Sequence, residues 1–409
     1  MKRWLLIYED SRWRLLRPLT DLAPLPALAF GSSTVAERWR RAAGMPLLTI
    51  EARKSALAAW SDAPRSEIAA ARAGDEVLVV NAAALPGPWF DLVLASDAPT
   101  LLMGDGRVAG ACLSFESISP ALGRGEGFEA ELLAAGPEGR PVDAQFITYP
   151  WELIEANADA IAEDLSSMAP EIRGSLHRFA ALEGTDRIRV EAGAVIEAFA
   201  CLDARGGPVW IGPGARVAAH TVVTGPCVVG PGTQLLGGSV MRCTIGPQCR
   251  IAGEVEESVW QGYANKRHHG FVGHSALGEW VNLGALTTTS DLKNNYGTVR
   301  VWVDGADVES GRTKVGALIG AHVKTGIGTL LPTGASVGTG SNVFGGGRYA
   351  PRRVPPFGWW DGDRMVEHEL ERFLATARAV TSRRGRALLP ADEALLRATF
   401  DATSGERTR

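Results

Sequence analysis

From Val190 onward an aliphatic residue returns every six positions, and nothing else in the sequence restricts the fold as strongly. The step runs through Val190, Ile196 and Leu202, then through Ile211, Val217, Val223, Val229 and Leu235. After a change of phase it resumes at Ile245 and Ile251, at Leu277 and Leu283, and at Ile319, Thr325, Leu331, Val337 and Val343. A helix repeats about every 3.6 residues and a strand about every 2, so neither accounts for this spacing. A hexapeptide period marks a parallel β-helix: each unit forms one flat side, three units close a triangular coil, and the repeating residue fills the interior. Glycine follows the repeating residue at Ile211, Val229, Ile245, Leu277, Leu283, Ile319, Thr325 and Val337. There it is expected to turn a corner at positive φ. Coils of this kind cannot hide their flat faces alone, and three of them side by side can, so a homotrimer is expected.

Two stretches break the step, Glu254 to Phe271 and Asp291 to Thr313. Insertions leave a repeat fold as loops and tend to carry function. Past Phe344 come a Pro- and aromatic-rich strap and two amphipathic helices, near Met365 to Arg378 and Asp392 to Phe400, expected to cap the open end.

The N-terminal part obeys another pattern. Trp4 to Tyr8 and Glu76 to Val80 have the apolar character of buried strands, Ser33 to Arg41 reads as a helix, and Trp151 to Met168 reads as a helix closed by Pro170. The expected organisation is an α/β domain with a connector helix over 1–175, a β-helix over 176–345, and a strap with helices over 346–409. The turn after the first strand, EDSRWRLLRPLTDL, has no glycine with which backbone could approach phosphate. Arg12, Arg14 and Arg17 could hold phosphate there, although arginines on a turn are more often solvated.

A formal net charge of -4 argues against a nucleic-acid partner, and the sequence contains no spanning segment or signal-peptide core. A cytoplasmic protein without a membrane partner is expected. The five cysteines are odd in number and lack metal-ligand spacing.

Chemistry concentrates between Gly262 and Gly297, GYANKRHHGFVGHSALGEWVNLGALTTTSDLKNNYG. His268, His269 and His274 could serve as a general base, as metal ligands joined by His220, His322 or a neighbouring subunit, or as plain polar surface. A neutral imidazole suits deprotonation of an amine attacking a thioester, and backbone amides or Asn282, Asn294 and Asn295 could receive the oxyanion.

The six-residue step followed by NKRHHGFVGHSALGEWVNLGA and NNYG resembles the acetyltransferase half of the bifunctional glucosamine-1-phosphate acetyltransferase and N-acetylglucosamine-1-phosphate uridyltransferase family. It is closer still to a divergent branch of sugar nucleotidyltransferases. The resemblance is specific over about Val190 to Phe344 and concerns mainly layout over Met1 to Ser175. It implies a nucleotidyltransferase-like α/β domain, a left-handed parallel β-helix and a helical tail. It also implies an acetyl-CoA-dependent N-acyltransferase acting on an amino sugar, sugar phosphate or sugar nucleotide.

By position, the resemblance makes His269 the catalytic base, with Asn295 beside it in the chemistry. Lys266, Phe271, Asn282, Tyr296 and Arg300 become sugar-site residues, and Ala285 offers a backbone group to the acetyl-CoA thioester. No resident metal is implied in this half. Uridylyl or thymidylyl transfer by the first domain, with Mg²⁺, is the alternative, and a non-catalytic assembly protein or a γ-carbonic-anhydrase-like metal site is the alternative of another class. Three departures stand out. The acidic EVEES at Glu254 to Ser258 would repel a sugar phosphate, Phe271 lacks a tyrosine's hydroxyl, and Asn81 stands where a metal-binding aspartate is expected.

Overall fold

The computed structural model describes residues 2–407 and divides into two compact units. The first comprises Met1–Leu15, Ala23–Leu28 and Ser33–Thr148, and the second comprises Leu16–Leu22, Ala29–Ser32 and Tyr149–Arg409. The helix Pro150–Asp164 therefore groups with the β-helix. There Asn157 Oδ1 accepts a hydrogen bond from the Thr244 hydroxyl at 2.9 Å.

The first unit is built on a sheet in the order Leu47–Glu51, Arg3–Tyr8, Glu76–Asn81, Arg107–Ser114, Thr100–Gly104, Arg140–Pro141. The first three strands are parallel, and Arg107–Ser114 runs against its two neighbours. Trp4, Leu6, Tyr8, Val77 and Val79 lie in its core with Phe128 and Leu132. Central parallel strands are covered on both faces, which explains why Trp4 to Tyr8 is uninterruptedly apolar. The helix expected from Ser33 begins two residues later, at Val35, because Thr34 takes the cap and accepts from the Glu37 amide at 3.2 Å. Gly44, left-handed at φ 62°, ends it.

The second unit contains a left-handed parallel β-helix of about 11 turns. Its interior is the stack that the six-residue step marked, with Val190, Ile196, Leu202, Ile211, Val217, Val223, Val229, Leu235, Ile245 and Ile251 all buried. The glycines after these residues require a correction. Gly212, Gly230, Gly246, Gly278, Gly284, Gly320, Gly326 and Gly338 are absent from the positive-φ positions, which fall two residues further on, at Gly214, Gly232, Gln248, Trp280, Leu286, His322, Gly328 and Gly340. What the first set requires is space between coils. A Cβ on Gly212 would stand 2.8 Å from the Val229 carbonyl oxygen, and one on Gly278 or Gly320 would stand 2.5 Å from the amide nitrogen of Ala321 or Thr339.

The expected break from Glu254 to Phe271 is also corrected, because the coil continues through it. Ile245 pairs with Trp260, and Ile251 pairs with Lys266. The interior positions are occupied, but by a tryptophan and a lysine on a shortened coil, so the aliphatic step was lost from view. Asp291 to Thr313 is a true excursion, a hairpin of Arg300–Val303 against Ala306–Glu309 that buries Val299, Val301 and Val303.

At the C-terminal end Arg353–Val354 and Gly358–Trp360 add strands to the coil, and Met365–Glu367 pairs back on the latter. The first tail helix is Leu370–Ser382, so Met365 lies in a strand and not, as expected, in a helix. It packs with Pro390–Ala402 around Phe357, Phe373, Leu374, Ala377 and Leu396.

Candidate functional site

In the coil containing Asn265–Lys266 and Phe271–Gly273, the chain turns a corner at His268, His269 and Gly270. His269 is exposed, and its carbonyl accepts from the Leu286 amide of the next coil at 2.9 Å. Glu254 pairs with Phe271 across adjacent parallel strands. His269, Glu254 and Phe271 line an open recess of about 530 Å³ with Val222, Ser239 and the glycines Gly238, Gly253 and Gly270. Gly238 and Gly253 are left-handed and carry no Cβ, so the recess has a backbone floor where side chains would otherwise fill it. Glu254 was read only as a repulsive neighbour of phosphate. Its place opposite Phe271, in the same recess as His269, was not visible because the register between coils was unknown.

Lys266 does not reach this recess. It occupies an interior position at 1% exposure, and its Nζ donates to the carbonyls of Ala252 and His268, each at 2.9 Å. Burial lowers its pKa to about 8. Its contact is with the peptide of the histidine corner, which it tethers to the coil below.

The remaining expected residues are spread along the same coils. Asn282 lies on the neighbouring flat side, where its Oδ1 accepts from the Asn265 amide at 2.7 Å. Ala285 sits at the next corner above His269. Its carbonyl accepts from Gly328 at 2.8 Å, and its N–H has no acceptor among the described residues. Asn295 and Tyr296 are exposed on the excursion, where Asn295 Oδ1 accepts from the Gly297 amide at 3.1 Å. Arg300 pairs across the hairpin with Glu309 at 3.2 Å. Among the described residues, no hydrogen bond or ring contact joins His269 to Asn295, Tyr296 or Arg300.

Among the described residues, His269 and His274 do not share a metal-type cluster. His269 and His274 stand at opposite ends of the strand Phe271–Gly273, five residues and roughly 16 Å of extended chain apart. His322 is buried against Trp280 and Phe373, with its pKa lowered to about 3 by burial, and His220 stacks on Phe199. His274 Nδ1 lies 2.8 Å from Asp291 Oδ2. Burial alone would raise the Asp291 carboxyl, but the hydrogen bond and charge of His274 outweigh it and hold the carboxyl below its ordinary range.

In the first unit, the carboxylates at the end of the first strand are engaged. Glu9 pairs with Arg53 at 2.8 Å and accepts from the Leu25 amide at 2.6 Å, while Asp10 pairs with Arg107 at 2.7 Å. Asn81 is fully buried. Its amide nitrogen donates to Asp10 at 2.8 Å and to the Val108 carbonyl at 3.1 Å, and its Oδ1 accepts from the Ala83 amide. A Mg²⁺ ion needs carboxylate oxygens open to it. These are already neutralised by arginine, so the residues at this strand end do not fit the ion. The turn arginines are likewise engaged. Arg12 lies 3.3 Å from Asp105, Arg14 lies over Trp13, and Arg17 meets Asp21, Asp304 and Glu406.

Residues 5–171 match the family model described as sugar nucleotidyl transferase. A bifunctional sugar-1-phosphate nucleotidylyltransferase/acetyltransferase of Sulfurisphaera tokodaii is 39% identical over 93 residues, which is 23% of this chain and 23% of that protein. The bifunctional protein GlmU of Methanococcus vannielii is 28% identical over 200 residues, covering 48% of this chain and 42% of its own length. GlmU of Mycobacterium sp. strain KMS is 30% identical over 185 residues, 37% and 35% of the two chains. The matched stretches thus span less than half the length of these relatives. Among solved structures, an Arabidopsis UDP-N-acetylglucosamine acyltransferase covers 49% of this chain and 76% of its own at 12% identity, with a TM-score of 0.23.

Proposed function

We propose that this chain is a divergent GlmU-like protein whose β-helix is an acyl-CoA-dependent N-acyltransferase with an amino sugar or its derivative as acceptor. The observation that carries the reading is the recess that His269 and Glu254 both line, over a floor of glycine backbone. His269 takes the proton of the acceptor amine, the nitrogen bonds to the thioester carbonyl carbon, and the carbon–sulfur bond breaks as the thiolate leaves. The Ala285 N–H, without an intrachain acceptor, polarises the carbonyl oxygen. Lys266 acts through the corner it tethers. Phe271 offers an apolar face to the sugar, and Glu254 favours a cationic amine over a phosphate. Asn282, Asn295, Tyr296 and Arg300 complete the acceptor site when coils of two subunits lie side by side in a homotrimer.

Thiol release from acetyl-CoA with a panel of amino sugars tests this. Wild type should release thiol above background, and His269→Ala should lower kcat by about 10²-fold. A null wild type, or an unchanged variant, overturns the reading. His268→Ala is the comparison that separates the two neighbouring imidazoles.

The sugar nucleotidyl transferase match raises the question of a second activity, in the first domain, which its engaged carboxylates argue against. Pyrophosphate release from a nucleoside triphosphate, a sugar 1-phosphate and Mg²⁺ tests it. Because Glu9, Asp10 and Asn81 are engaged, we expect none. Among the described residues no helix is long and apolar enough to cross a membrane.

A further inference from the structure

At the corner opposite His269, three successive coils each place one ligand-type side chain. Glu256 closes the strand Arg250–Glu256, His274 follows the strand Phe271–Gly273, and Asp291 follows Thr288–Thr289. One ligand atom of each lies within 4.8 Å of the others. Backbone bonds hold the arrangement: the His274 amide donates to the Glu256 carbonyl at 3.1 Å, and the Val315 amide donates to the Asp291 carbonyl at 2.9 Å. The adjacent Glu257 is neutralised by Arg242, whereas no protein donor reaches the Glu256 carboxylate among the described residues. Lys314 is the cation that faces Asp291. All three side chains are partly buried and not loose on the surface.

We propose that Glu256, His274 and Asp291 form a divalent-cation site at the root of the 291–313 excursion. One imidazole and two carboxylates suit a first-row transition ion better than Ca²⁺ or Mg²⁺. His274 Nδ1 and Asp291 Oδ2 lie 2.8 Å apart, near enough to turn to one ion together with Glu256. The ion takes the place of the hydrogen bond between His274 and Asp291. The site is separate from the recess at His269, and it stands or falls independently of acyl transfer.

Full-length protein stripped with EDTA and titrated with MnCl₂ by calorimetry should bind one equivalent. Mn²⁺ electron spin-echo spectra should show modulation from an imidazole nitrogen. His274→Gln should abolish that modulation, and Glu256→Gln should weaken binding at least tenfold, with circular dichroism unchanged in both. Absence of binding at millimolar Mn²⁺ overturns the proposal. So does binding whose affinity and nitrogen modulation both survive the two substitutions, which would place the ion elsewhere.

Discussion

Lys266 shows how a single residue can mislead in one reading and inform in another. Its neighbours in sequence suggested a substrate contact, yet its position in the coil puts the ammonium among backbone carbonyls at 1% exposure. Because its folded pKa, about 8, is below the ordinary 10.5, the unfolded chain binds the extra proton between those values. The cost of holding the charged form inside is complete below about pH 8 and disappears as the pH climbs toward 10.5. Stability should therefore rise with pH across that window, by up to about 1.4 kcal/mol per unit. Lys324, lowered to about 7 in an equivalent setting, adds in the same sense. Urea denaturation of Lys266→Met at pH 8 and pH 10 should show a smaller difference than wild type. An identical difference would mean that the amine is solvated. The same variant frees the His268 carbonyl, so acyl transfer should fall through a displaced corner even where the fold survives.

Among the elements, the coil corner separates two uses of glycine that the sequence ran together. Gly278 is needed because another coil lies directly upon it, and Gly278→Ala should cost about 1–3 kcal/mol as the backbone is pushed apart. Gly214 is left-handed with nothing near its missing Cβ, and Gln248, Tyr263, Trp280 and His322 hold comparable left-handed conformations. Gly214→Asn should therefore cost less than about 1 kcal/mol, since asparagine tolerates that conformation. Thermal unfolding of the pair checks both, and equal losses would contradict the distinction. The Leu370–Ser382 helix presents a related case. Its period was readable, but its start was not, because Met365–Glu367 pairs antiparallel to Gly358–Trp360 and only tertiary contact distinguishes that strand from a helical turn.

For the molecule as a whole, the layout of α/β unit, β-helix and tail was legible because each obeys its own hydrophobic period. The coils around Trp260 and Lys266 were not legible as coils, since a search for aliphatic residues passes over a buried indole and a buried amine. The candidate site was legible as a cluster at His269 and Phe271. The pairing of Phe271 with Glu254 was not, because it depends on a register between strands that no local spacing encodes. Nor could the sequence reveal that Asp10 and Asn81 are engaged by Arg107 and by each other. Asn295, Tyr296 and Arg300 stand apart from His269 within one chain, so activity should require assembly. Light scattering should give a trimer, and dilution below its dissociation range should abolish thiol release while circular dichroism persists. Activity in a verified monomer would exclude a shared site.

The interior placement of Lys266 also makes the protein a recorder of its own breathing. The lysines of this sequence are Lys2, Lys54, Lys266, Lys293, Lys314 and Lys324. Acylating reagents attack only an accessible neutral amine, and the folded coil holds the Lys266 and Lys324 amines against backbone carbonyls. Once a coil opens, the amine is solvated and returns toward its ordinary pKa, so each reacts only in proportion to how often its rung opens, and a brief pulse of reagent followed by mass spectrometry reads the opening of two individual rungs.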